Sequence, residues 1–166
     1  LPAPDAPSLI ALDAMTGKLK GAEQVGISKA TMHCNWSSPC IGSYKGKPAA
    51  LFGGGDGFLH AFDLEGPESK QGLPTLKEHW RIDANARDYR VEEDGKPREY
   101  PTYKGPSEIV GTPVYHKGKA YVAIGQDPEH GDGVGRLTCI DAKTGKVLWK
   151  NTDVGRTIST MSVADD

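Results

Sequence analysis

Ile140-Asp141-Ala142-Lys143-Thr144-Gly145-Lys146-Val147-Leu148-Trp149 decides the fold. An apolar run leads into an Asp, then Thr-Gly, then a second apolar run. Gly supplies the positive φ that a tight hairpin needs, and the Asp can accept hydrogen bonds from the turn's own N–H groups. The motif therefore predicts two antiparallel strands and the turn between them. It is repeated: residues 8–20 align with 136–148, and Asp13, Thr16 and Gly17 fall on Asp141, Thr144 and Gly145. A third copy, 57–63, keeps the strand and Asp63 and then diverges. The upstream half repeats too. Ser38-Pro39 and Lys45-Gly46-Lys47 match Thr112-Pro113 and Lys117-Gly118-Lys119, each followed by an apolar run, 49–52 and 120–124. Residues 159–163 look like a further start.

One repeat is four short strands bounded by turn chemistry. The first full unit is expected at 37–43, 48–53, 58–63 and 77–82, the second at 110–115, 119–125, 136–142 and 146–151. No stretch shows a helical period. The expected organisation is two strands of one unit (8–21), a full unit (36–82), an inserted loop (83–108), a full unit (109–151) and the first strand of another (157–166). Repeated four-stranded antiparallel units read as blades of a β-propeller, which closes with about 4–8 of them. The fold class is therefore all-β, a partial β-propeller. Its open faces and edges call for the remaining blades of a longer parent or for a second chain. The start at Leu1 and the stop at Asp166 fit an excerpt.

Composition agrees. The chain has 166 residues, 21 of them Gly, with 37% apolar and 25% charged residues and a net charge of −2. The apolar share is enough for a core once Gly is counted, so wholesale disorder is excluded. No apolar run approaches the roughly 18 residues of a membrane helix. The balance of 20 basic and 22 acidic residues lacks the basic excess of a nucleic-acid-binding domain.

The Ile140–Trp149 signature resembles the repeat of the pyrroloquinoline-quinone-type (PQQ-like) propellers. That resemblance implies seven or eight blades and an exported protein: periplasmic, secreted or outer-membrane associated. It also implies an outer-strand Trp that docks each blade on the next. Trp149 fits that position and Trp80 fills it after an insertion, whereas Gly21 stands there in the first half-unit. With Asp13, Asp63 and Asp141, these Trp residues form the structural set. The family includes calcium- and PQQ-dependent alcohol and sugar dehydrogenases as well as non-catalytic members of the BamB type. The vicinal Cys-Cys pair of several dehydrogenases is absent, and no segment matches their active site residue by residue.

The three cysteines are too few for a disulfide scaffold. Cys34 and Cys40 can pair only if the chain turns sharply around 35–38; buried free thiols are the plainer reading. Binding sites are expected on the face that carries the insertions. There the long loop 83–108 holds Tyr89, Tyr100 and Tyr103, residue types favoured at interfaces. His33 and Trp36 precede an innermost strand, and Arg156 holds nearly the same repeat position further on. Asp56, in the glycine run 53–57, joins the candidates, although that run reads as a hairpin and not as a phosphate loop. Asp127, Glu129, His130 and Asp132 form a solvated acidic loop or, less simply, a metal site. The expected function is a non-catalytic binding or scaffold module for a protein partner or small ligand. The alternative is a fragment of a PQQ-dependent dehydrogenase, the one reading that brings PQQ and calcium; no cofactor is otherwise assigned.

Overall fold

The computed structural model describes residues 3–67, 72–127, 129 and 133–164. Two four-stranded antiparallel meanders carry the fold. The first contains β3 (Cys40–Tyr44), β4 (Lys47–Gly53), β5 (Phe58–Phe62) and β6 (Glu78–Asp83). The second contains β7 (Val114–His116), β8 (Lys119–Ile124), β9 (Arg136–Asp141) and β10 (Lys146–Asn151). Before them, β1 (Ile10–Leu12) pairs with β2 (Leu19–Ala22). This is a partial β-propeller.

The turn chemistry is explicit. Lys45 and Gly46 both take positive φ (51° and 81°), as do Lys117 and Gly118 (44° and 79°). That is the backbone of the two-residue hairpin turn whose twist matches its strands. Asp13 Oδ1 accepts from the N–H groups of Met15 and Thr16 and from Thr16 Oγ1. Asp141 Oδ1 repeats this with Thr144 N and Oγ1 at 2.8 and 2.9 Å.

The central strands of each sheet are buried, and the main core lies where the two sheets pack, with Leu51, Leu59, Ile109, Val122, Ile124 and Ile140. Trp80 locks that packing. Its indole Nε1 donates to Ala142 O at 3.0 Å, and a Cβ at Gly145 would lie 2.7 Å from Trp80 Cγ. Trp149, at the matching place on β10, is 45% exposed and lies against Tyr121. Where Gly21 replaces the Trp, the insertion after β5 does the docking. Ala22 N donates to Pro74 O, and Leu76 N to Ala22 O, at 2.8 and 2.9 Å. A side chain at 21 would collide with Leu76.

Several local expectations change. Two single-turn helices form, α1 (Ile27–Ala30) and α2 (Arg87–Arg90), both too short to leave a periodic signature. The first strands of both sheets start later than 37 and 110, because the residues before them turn away into loop contacts. Residues 157–164 form no strand; they run beside β8, with Thr157 N on Ile124 O, and reach Thr112 through Thr160 Oγ1. No second strand lies beside them among the described residues. All three cysteines are free thiols, and burial pushes Cys40 up to about 11.

Candidate functional site

A meander places the loop between its second and third strands at the same end as the connection to the next sheet. Four segments therefore meet at one end: 26–39, 53–57, 83–113 and the described residues of 125–135. They are bonded to one another there. Met32 N donates to Gly55 O, and Ile109 N to Gly54 O. Asn35 Oδ1 accepts from Gly55 N at 2.8 Å. A side chain at Gly55 would run into the Cys34 carbonyl, so this close approach requires glycine.

Glu108 sits at the centre with its residue fully buried. Its Oε1 accepts from both His33 N (3.0 Å) and Cys34 N (2.9 Å). Two consecutive N–H groups on one oxygen make a turn around an anion, not a strand. His33 and Cys34 therefore lie in a turn closed on Glu108. Tyr100 Oη donates to Glu108 Oε2 at 3.3 Å. Burial is the largest influence on Glu108 and raises its pKa, against the lowering effect of these donors. Burial, with the Glu108 charge beside it, also pushes the Tyr100 phenol up.

Above this anchor the rings gather. His33 lies 5.9 Å from Trp36 and 6.3 Å from Tyr100, the latter stacked. Asp127 Oδ2 is 3.9 Å from His33 Nδ1. Trp36 is 49% exposed and also lines a cavity of about 320 Å³ with Cys34, Asn35 and the 3–8 segment. His33, Trp36, Tyr100 and Asp127 thus share one site, although they come from three loops.

Other candidates take other places. Asp56 is buried: its Oδ1 accepts from Phe58 N and its Oδ2 lies 3.3 Å from His60 Nε2. It works inside the blade. Tyr89 packs on the core and faces a separate depression with Arg87, Arg98 and Lys104. Tyr103 is 70% exposed, with Lys104 Nζ 5.9 Å from its ring centre. Arg156 is half-buried in the segment that packs on Gly125 and Gly135. Glu129 is exposed; His130 and Asp132 lie outside the described residues. Asp63 bonds His79 Nε2 at 2.8 Å. Glu108 was not singled out in the sequence: one acid beside 105–107 carries no spacing that marks it.

The insertion is bolted at its base. Asn85 Nδ2 donates to Ser107 O, and Ser107 N to Asn85 Oδ1, each at 2.8 Å. Buried Arg136 donates to Asn85 O at 2.7 Å, and Arg90 grips Asp83 through two nitrogens.

A calcium-held quinone does not fit this donor set. Among the described residues, no three His, Cys, Asp or Glu side chains converge as metal ligands. Both Glu108 oxygens are already engaged by N–H and O–H donors.

Stacked antiparallel four-stranded units with loop-built chemistry at one end define a repeat protein of the PQQ-like propeller class. A family model described as outer membrane protein assembly factor BamB matches residues 73–166, more than half of the chain, and the chain belongs to that family. Among solved structures, quinohemoprotein alcohol dehydrogenase ADHIIG from Pseudomonas putida HK5 is 26% identical, with a TM-score of 0.56 over 87% of this chain and 18% of its own. Quinohemoprotein alcohol dehydrogenase from Comamonas testosteroni is 23% identical, with a TM-score of 0.51 over 84% of this chain and 17% of its own. BamB from Moraxella catarrhalis is 19% identical, with a TM-score of 0.40 over 87% of this chain and 46% of its own. The chain spans less than a fifth of either dehydrogenase. No curated protein matches it.

Proposed function

We propose that the chain is part of a non-catalytic PQQ-like propeller that binds a protein partner or small ligand at its inserted-loop end. The observation that carries this reading is Glu108, which ties the His33 turn and Tyr100 to one buried carboxylate. It presets an aromatic site with Trp36 exposed beside it. A preset aromatic patch with polar neighbours is the chemistry of recognition. The family match at 73–166 supports a binding propeller. The exposed face at Trp149 supports further blades, or a second chain, packed beyond β10. Export to the periplasm, the outside or the outer membrane belongs to the same proposal. Among the described residues no helix is long and apolar enough to cross a membrane.

The second reading is part of a PQQ-dependent dehydrogenase, favoured by the likeness to the Pseudomonas enzyme. One experiment separates the two. The full-length protein is titrated with PQQ and calcium by calorimetry and assayed for dye-linked alcohol and sugar oxidation. A photo-crosslinking residue is placed at 36 and, as a control, at 15, which is 93% exposed on a hairpin at the other end. The expected result is no turnover, with a crosslink from 36 that Tyr100→Ala removes and none from 15. Turnover with PQQ and calcium, or equal crosslinking from both positions, overturns the binding-module reading.

A further inference from the structure

The β1–β2, β3–β4, β7–β8 and β9–β10 turns lie at the end away from the candidate site, and they carry lysine. Six exposed lysines stand on or beside three of these turns: Lys45, Lys47, Lys117, Lys119, Lys143 and Lys146. A cavity of about 530 Å³ spans the turns of both sheets, lined by Ser43, Lys45, Gly46, Tyr115, Gly118 and Lys143. The turns therefore belong to one continuous end of the molecule.

Most of the described carboxylates at this end are hydrogen-bonded. Asp13 and Asp141 each hold their own turn. Asp63 bonds His79, and Glu78 bonds buried His60 at 2.7 Å. Among the described residues of this end, Glu65 is the exposed acid, 3.8 Å from Lys20. Asp13, Asp63, Glu65, Glu78 and Asp141 keep their charges, but the described lysines of this end outnumber them and leave a positive excess within a chain of net charge −2. Acidic residues concentrate in the loops of the opposite end, including Asp88, Glu92, Glu93 and Asp94.

We propose that this lysine end docks on a lipid surface bearing anionic phosphate headgroups, with the His33–Trp36–Tyr100 site facing away from it. The residue types favour lipid over nucleic acid. The cations are all lysines, compact point charges, and no arginine lies on these turns to read base edges with a planar fork. The nearby rings are not free stacking platforms: Tyr44 lies on His79 at 3.9 Å, and Tyr115 packs on the core. The lysines sit on separate turn tips across two sheets, which suits an extended charged plane. Each lysine close to such a surface is worth about fivefold in binding.

The test is sedimentation of the full-length protein with phosphatidylcholine vesicles, with and without phosphatidylglycerol, at low and high salt. Binding is expected to need the anionic lipid and to weaken with salt. The Lys47→Glu/Lys119→Glu/Lys146→Glu variant should lose more than about 100-fold in affinity. The milder triple Gln variant should lose an intermediate amount, and Lys96→Glu/Lys104→Glu, at the other end, should bind as wild type. Circular dichroism confirms that each variant is folded. Equal binding to neutral vesicles, unchanged binding of the folded triple variants, or tight binding to duplex DNA with none to vesicles overturns the proposal.

Discussion

The indole Nε1 of Trp80 donates a 3.0 Å hydrogen bond to the main-chain carbonyl of Ala142, inside the turn of the neighbouring sheet. This joins the outer strand of one unit to the motif that defines the next. Trp80→Phe keeps most of the packing and removes the bond, at a cost of about 1 kcal/mol. Trp80→Ala also opens a gap over Gly145, at a cost of about 3 kcal/mol. Urea denaturation measures both, and an unchanged midpoint for Trp80→Phe would show that the hydrogen bond contributes nothing.

Gly21 holds the place where the repeat expects Trp, yet the site is already filled. Gly66 N donates to Lys20 O at 2.9 Å, and Leu76 covers Gly21. Gly21→Trp restores the repeat and is expected to destabilise by about 1–3 kcal/mol through overpacking. A rise in the urea midpoint would contradict the docking described here.

Glu108 makes a sharper contrast. Glu108→Ala leaves the N–H groups of His33 and Cys34 without their acceptor and is expected to cost about 2 kcal/mol. Glu108→Gln keeps a carbonyl for them and should cost far less. The pH dependence has a defined sign. Burial raises this carboxyl's pKa, so the folded state holds its proton more tightly than the unfolded chain does. Its contribution to stability therefore falls as pH rises from the ordinary carboxylate range through the raised value. Stability curves against pH for wild type and Glu108→Gln should diverge in that window.

His60 follows the same sign in a higher pH range. It is fully buried between Asp56 and Glu78, at 3.3 and 2.7 Å. Burial alone would lower its pKa, but hydrogen bonds to the two carboxylates outweigh that and raise it. The stabilisation is full below the unfolded histidine value and is lost as pH rises through the folded one. Urea midpoints at about pH 6 and about pH 8.5 should fall for wild type. His60→Gln should lose this component and be less stable at the lower pH by about 3 kcal/mol. A wild-type midpoint higher at alkaline pH would reverse the assignment.

Much of the scaffold was legible because its chemistry is local. Asp13 and Asp141 bond within their own turns, and the Lys-Gly turns set their own φ. The candidate site was legible only in part. His33, Trp36 and Tyr100 stood out as residue types, but nothing in the spacing links 33 to 108. Asp56 read as a binding candidate in a glycine run, yet it serves His60 four residues on.

The sequence alone determined the strands, the turns and their repetition, because each turn carries its donors, acceptors and backbone preference within a few residues. Tertiary structure decided what meets what. Glu108 became an anchor and Leu76 took the place of a tryptophan because residues about 75 and 55 positions apart were brought together. Contacts over such separations are set by how the sheets stack and how the loops close over their ends, and no local spacing encodes them.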